Sequence, residues 1–177
     1  MLRRNESKLM SVMNKLKLFV DRLISWICIT IIGVMTVLVT YQVISRYLFD
    51  SPSGVSEVLS RYLFIWLIFL GSAYVFGLRE HMSITFVKDK FSEKTKVYLD
   101  MFIELIILVF GCSIMIFGGY NTAIRQMWQQ DSALQIPMGM IYSIIPIGGV
   151  IILFYFLYHE IEFISRLKSL QNNNIRK

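Results

Sequence analysis

Long stretches of this chain carry no charge. There is no Asp, Glu, Lys or Arg between Arg22 and Arg46, between Arg61 and Arg79, between Glu104 and Arg125, or between Asp131 and His159. Charged residues make up 17% of the chain, against about 25% in an ordinary soluble domain. Those gaps exclude a soluble domain, because about 20 uninterrupted apolar residues are what a helix needs to cross ~30 Å of hydrocarbon. The runs do not alternate apolar with polar, which excludes a membrane β-barrel. Cysteine is scarce: Cys28 and Cys112 both fall inside apolar runs, so neither a disulfide scaffold nor paired redox thiols are available. Histidine is scarcer still in useful places, since His81 and His159 stand alone at expected helix ends. That argues against haem held within the spans, and no cluster has zinc spacing. No Ser/His/Asp or Cys/His set suggests an enzyme, and no cofactor is expected. The first run is too long for a signal peptide and lacks a small-residue cleavage site after it.

What is present is an all-α integral membrane protein with four transmembrane helices. The expected transmembrane domain is 20–160, with spans at about 23–47, 57–78, 97–120 and 137–159. A lead at 1–19 places Leu9, Val12, Met13 and Leu16 at helical spacing among lysines, which suits an amphipathic helix on the inner membrane surface. A cytoplasmic tail occupies 161–177.

The net charge of +6 is arranged by topology. Six Lys/Arg precede the first span, five lie between spans two and three, and four follow the last, against Arg46, Arg61 and Arg125 elsewhere. The positive-inside rule therefore puts both termini in the cytoplasm and the loops around Pro52 and Trp128 outside. The same placement points to membrane lipids, not nucleic acid, as the partner of the basic residues.

Between the first two spans, Ser51-Pro-Ser-Gly54 supplies a turn and Ser56 is the expected N-cap of the second helix. Glu57 precedes Arg61 by four residues, the favourable order for an ion pair. Arg46, Glu57 and Arg61 are expected to brace the outer ends of spans one and two. Pro137 opens the last span and Pro146 is expected to kink it. Asp100 and Glu104 enter the third span, Glu104 being the deeper candidate for a buried partner, and the histidines are expected to cap helix ends. Ala73 and Gly77 form a small-residue notch for a neighbouring helix, joined by Gly71. The four spans offer almost no polar or broken element at mid-depth to convey a polar solute.

The segments Arg46-Tyr-Leu-Phe49, Ser56-Glu-Val-Leu-Ser-Arg-Tyr62, Trp66-Leu-Ile-Phe-Leu-Gly71 and Arg79-Glu-His-Met-Ser-Ile84, followed by Gln135-Ile-Pro137 and Ser143-Ile-Ile-Pro-Ile-Gly148, together resemble the small DctQ-type membrane subunit of tripartite ATP-independent periplasmic (TRAP) transporters. The resemblance covers roughly 20–160. It departs at Val58 and Thr85, where the family often has acids.

The resemblance implies an inner-membrane, multi-pass scaffold in a sodium-coupled importer of organic acids such as sialic acid or C4-dicarboxylates. Its implied partners are a large elevator-type membrane subunit and a periplasmic substrate-binding protein. On that reading Arg46, Glu57, Arg61, Trp66, Gly71 and Glu104 are structural or interface residues. Arg125, Trp128 and Asp131 are candidates for periplasmic docking. The alternative, a self-contained homodimeric four-helix transporter, needs a membrane-embedded acid that the run between Arg22 and Arg46 lacks.

Overall fold

The computed structural model describes the backbone of residues 2–78 and 93–175, and the side chains of 10–78 and 95–165. Arg79–Ser92, with His81 and most of the basic loop, and the side chains of the extreme amino-terminal residues and of the tail lie outside the described residues.

Four helical stretches are long and apolar enough to cross a membrane: Met10–Leu48, Gly54–Leu78, Thr95–Trp128 and Met138–Ser165. The first belongs to α1, a single helix from Leu2 to Leu48. Its inward side is one line of residues spaced alternately four and three apart: Asp21, Ile24, Cys28, Ile31, Met35, Leu38, Gln42 and Ser45, all buried or half-buried. That spacing matches the knobs-into-holes seam of helices crossing at about 20°. The rest of α1 is open and mostly apolar, as lipid contact allows.

Helix α2 spans Gly54–Leu78. Its N-cap is Ser53, not Ser56: the Ser56 N–H lies 3.4 Å from the Ser53 hydroxyl and the Glu57 N–H donates to the Ser53 carbonyl at 3.3 Å. Three residues further on, Ser56 points into the interface with α1, 5% exposed.

The third crossing is composite. Helix α3 (Glu93–Phe110) runs into a π-helical segment, Gly111–Gly118, then α4 (Gly119–Arg125) and a 3-10 turn, Gln126–Trp128. The helical path continues beyond the Tyr120–Asn121 end expected from sequence. The last crossing is also broken. Helix α5 (Met138–Tyr142) is separated by Ser143 from α6, Ile144–Ile175. Pro146 has no N–H to offer the Tyr142 carbonyl, and the break falls at that point. Ser143 closes it, its hydroxyl donating to the Met140 carbonyl at 2.6 Å.

The two irregular regions face each other. A Cβ on Gly149 would come 2.8 Å from Ile116 and 3.0 Å from Met115 Cβ, so the widened π turn fits directly onto the glycine of α6. The shared core is Ile24, Ile31, Leu70, Ala73, Phe76, Met115, Ile144, Ile152 and Tyr155. It is small and almost wholly apolar, because in a bilayer the hydrophobic exterior needs no cover.

Candidate functional site

The polar side chains of the bundle gather at its two ends. At the end of the bundle that holds the start of α1, α6 presents Tyr155, Tyr158 and His159 to the other three helices. The Tyr155 hydroxyl donates to Asp21 Oδ1 of α1 at 2.6 Å. The other oxygen of Asp21 pairs with Lys17 Nζ at 2.7 Å. Lys17 stands 5.9 and 5.6 Å above the rings of Tyr155 and Tyr158, within cation–π reach. Tyr158 also donates to Asn14 Oδ1 at 2.9 Å.

His159, 1% exposed, lies one helical turn beyond Tyr155. Its Nε2 is 3.2 Å from the Gly77 carbonyl of α2 and its Nδ1 is 3.1 Å from Glu104 Oε2 of α3. A carbonyl oxygen only accepts, so Nε2 carries a hydrogen. Ring and carboxyl are 1% and 8% exposed, and their contact gives each a polar partner where water hardly reaches.

His159 is therefore not a helix-end cap, as expected from sequence. Helix α6 runs on to Ile175, so the histidine sits mid-helix and its ring crosses the bundle. Glu104 does find a buried partner. The Ala73–Gly77 notch is filled from within the chain: the Tyr155 ring lies where a Gly77 Cβ would stand. Gly71, by contrast, has open space around it.

At the opposite end, where α1 turns into α2, the two helices are tied by neutral groups. Gln42 Nε2 donates to the Ser56 carbonyl at 2.8 Å and to Ser60 Oγ at 2.7 Å. The Ser45 hydroxyl donates to the Ser51 carbonyl. Arg46 and Arg61 share Glu57, at 3.9 and 3.2 Å. All three side chains are more than half exposed, so the ion pairs add little to the neutral ties.

At that same end the segment between the third and last crossings folds back as a short hairpin. Met138 N–H donates to the Gln129 carbonyl at 2.8 Å and Asp131 N–H to the Ile136 carbonyl at 3.0 Å. Gln135 turns the chain with φ 55°. Asp131 organises this hairpin: one carboxylate oxygen accepts from the Ala133 and Leu134 N–H groups at 2.8 Å, the other from the Tyr62 hydroxyl at 2.5 Å. The Tyr62 hydroxyl and those two amides hold the carboxyl below the usual carboxylate range. Trp66 secures the same region, its Nε1 donating to the Ile141 carbonyl at 3.2 Å. Arg125 is exposed and Trp128 is 92% exposed.

Asp21, Tyr155 and Gln42 were not singled out from the sequence. A signal for Asp21 existed: an acid four residues after Lys17, at the threshold of a long apolar run, needs a partner. Among the described residues no group of three or more His, Cys, Asp or Glu could hold a metal ion. Between the two polar ends the shared core is Ile31, Leu70, Met115, Ile144 and Ile152. Such an arrangement ties the helices together through polar contacts at the ends and apolar packing between them.

Fold and site thus define a multi-pass helical membrane protein that is braced at both faces and dry between them. Residues 35–166 match the family described as tripartite ATP-independent periplasmic transporters, DctQ component, and the chain belongs to that family. It is a TRAP transporter small permease subunit of the inner membrane, not an enzyme. It is 30% identical over 141 residues to a putative TRAP transporter small permease protein of Haemophilus influenzae, covering 80% of this chain and 87% of the other. It is 29% identical over 144 residues to the sialic acid TRAP transporter small permease protein SiaQ of Vibrio cholerae, covering 81% and 80%. A third relative, the sialic acid TRAP transporter permease protein SiaT of Haemophilus influenzae, is 26% identical over 140 residues, which is 78% of this chain but 22% of that protein.

Proposed function

We propose that this subunit is the fixed scaffold of a sodium-coupled TRAP importer, packing against a large transport subunit while conveying nothing itself. The observation that carries this is the placement of polarity: buried hydrogen-bonding groups at both ends of the bundle and an apolar core between them. A polar solute or ion crossing hydrocarbon needs partners at mid-depth. The match to about a fifth of a much longer permease supports a large partner, since there a segment similar to this one is part of a larger transport polypeptide.

Both termini face the cytoplasm on the positive-inside distribution of Lys and Arg, and the hairpin held by Asp131 faces the periplasm. There Arg125 and Trp128 are the exposed groups for docking a substrate-binding protein, with Asp131 shaping the hairpin that carries them. The cargo is an organic acid, with sialic acid favoured by the named function of the Vibrio cholerae relative. The test is co-purification: a tagged copy co-expressed with the large membrane subunit is expected to recover it in mild detergent. Recovery of only a homodimer of this chain overturns the reading.

A further inference from the structure

Helix α1 is longer than a membrane needs, and the excess carries an apolar ridge. Its 47 residues span about 70 Å, against ~30 Å of hydrocarbon and ~5–7 Å of headgroups at each face. With Arg46 at the outer boundary, Phe19, Leu16 and Val12 lie about 40, 45 and 51 Å along the helix from it. An ordinary tilt of about 20° shortens those depths by only a few per cent. Leu16 and Val12 therefore stand beyond the inner headgroups, yet Val12 is 64% exposed, Leu16 44% and Phe19 65%.

These residues form one line with Leu23, spaced four, three and four apart. The same line enters the bilayer and continues through Trp26, Thr30, Gly33, Val37 and Thr40, with Trp26 63% and Val37 69% exposed, so the open apolar face extends along the helix.

The membrane surface does not cover the inner part of this ridge. Asn14, Lys17 and Asp21 are fastened to Tyr158 and Tyr155 of α6, which holds the helix along the bundle and prevents it from lying flat on lipid. A second copy does not fit either. Lys15 and Arg22 are exposed on the flank of the ridge, and two copies inserted with the same orientation would set Lys15 against Lys15 and Arg22 against Arg22.

We infer that the Val12–Leu16–Phe19–Leu23 ridge is the docking face for a helix of the large transport subunit. That helix is apolar along the contact, acidic at its flank, and projects past the inner membrane surface. This rests on the scaffold reading above and adds the surface and the chemistry of the partner.

The test uses the tagged chain co-expressed with the large permease subunit. Leu16→Glu/Phe19→Glu is expected to lower recovery of the large subunit at least roughly tenfold, because a charge in an apolar contact is strongly unfavourable. Tyr98→Glu, similarly exposed but on α3 and away from this ridge, is expected to leave recovery unchanged. A single Leu16→Cys variant, which leaves the bundle intact, is expected to photo-cross-link to the large subunit when its thiol carries a maleimide-linked benzophenone, which inserts into any nearby C–H bond. Unchanged recovery with Leu16→Glu/Phe19→Glu overturns the inference while leaving the scaffold reading standing. So does cross-linking of Leu16→Cys to a second copy, or burial of a fluorophore at that position by anionic vesicles alone. Failure of the unaltered chain to recover the large subunit overturns both.

Discussion

Replacing Gly77 with alanine is expected to destabilise the bundle, although alanine is the better helix former by about 1 kcal/mol. A Cβ at this position would stand 2.7 Å from Tyr155 Cδ1 and nearer still to Cε1 and Cζ. The ring has nowhere to go: Tyr155 is fully buried and its hydroxyl is held by Asp21 at 2.6 Å. Overpacking of this kind costs about 1–3 kcal/mol. Pushing α2 away also lengthens the contact between His159 and the Gly77 carbonyl, worth about 1 kcal/mol. The two losses together exceed the propensity gain, for a net destabilisation of about 2 kcal/mol. At about 2–4 °C per kcal/mol for a chain of this size, the unfolding midpoint in detergent should fall by roughly 4–8 °C. Tyr155→Leu alone should also destabilise, but adding Gly77→Ala to it should cost little, because the clashing ring is gone. Gly77→Ala melting at or above the unaltered chain, or additive effects in the double variant, would refute the packing argument.

His159→Phe should destabilise by about 3 kcal/mol, because it breaks a buried pair and strips a donor from the Gly77 carbonyl. Glu104→Gln, whose amide N–H still reaches Nδ1, should cost less, and thermal melts of both variants measure the difference. The Asp131 carboxyl is depressed, so its contribution to the hairpin is complete above about pH 4 and is lost as pH falls through the lowered folded-state value. A carboxyl NMR titration should place the Asp131 midpoint below the ordinary carboxylate range, and Asp131→Asn should increase proteolysis at Gln129–Gln135 at neutral pH. Exchanging the charges by Arg46→Glu with Glu57→Arg should change stability by less than about 0.5 kcal/mol, whereas Gln42→Leu should cost about 1 kcal/mol by removing the amide that donates to Ser60 Oγ, the Ser56 carbonyl keeping the Ser60 hydroxyl as a donor.

The membrane class was legible in the sequence because it depends on something local, the length of charge-free runs. The pairing of Glu57 with Arg61 was legible for the same reason, four residues on one helix. What escaped depends on which helices meet. Asp21 was passed over beside the basic residues that mark topology, and only the approach of α6 reveals that Tyr155 reaches it. His159 was misassigned because the apolar run ends there and the helix does not, so a ring that crosses to Gly77 and Glu104 looked like a terminal cation. The N-cap falls on Ser53 because Ser56 is drawn inward to the Gln42 tie. The π segment at Gly111–Gly118 has no local signature at all. It is understood only against Gly149 of α6, which leaves the space that the wider turn fills.

On the proposed scaffold reading, a bundle polar at its ends and apolar through its middle braces a transporter and does not form one. Uptake of radiolabelled sialic acid into liposomes under an inward sodium gradient tests it most directly, comparing this chain alone, the large subunit with the binding protein, and all three together. Accumulation is expected only when all three are present. Accumulation by this chain alone would contradict the claim.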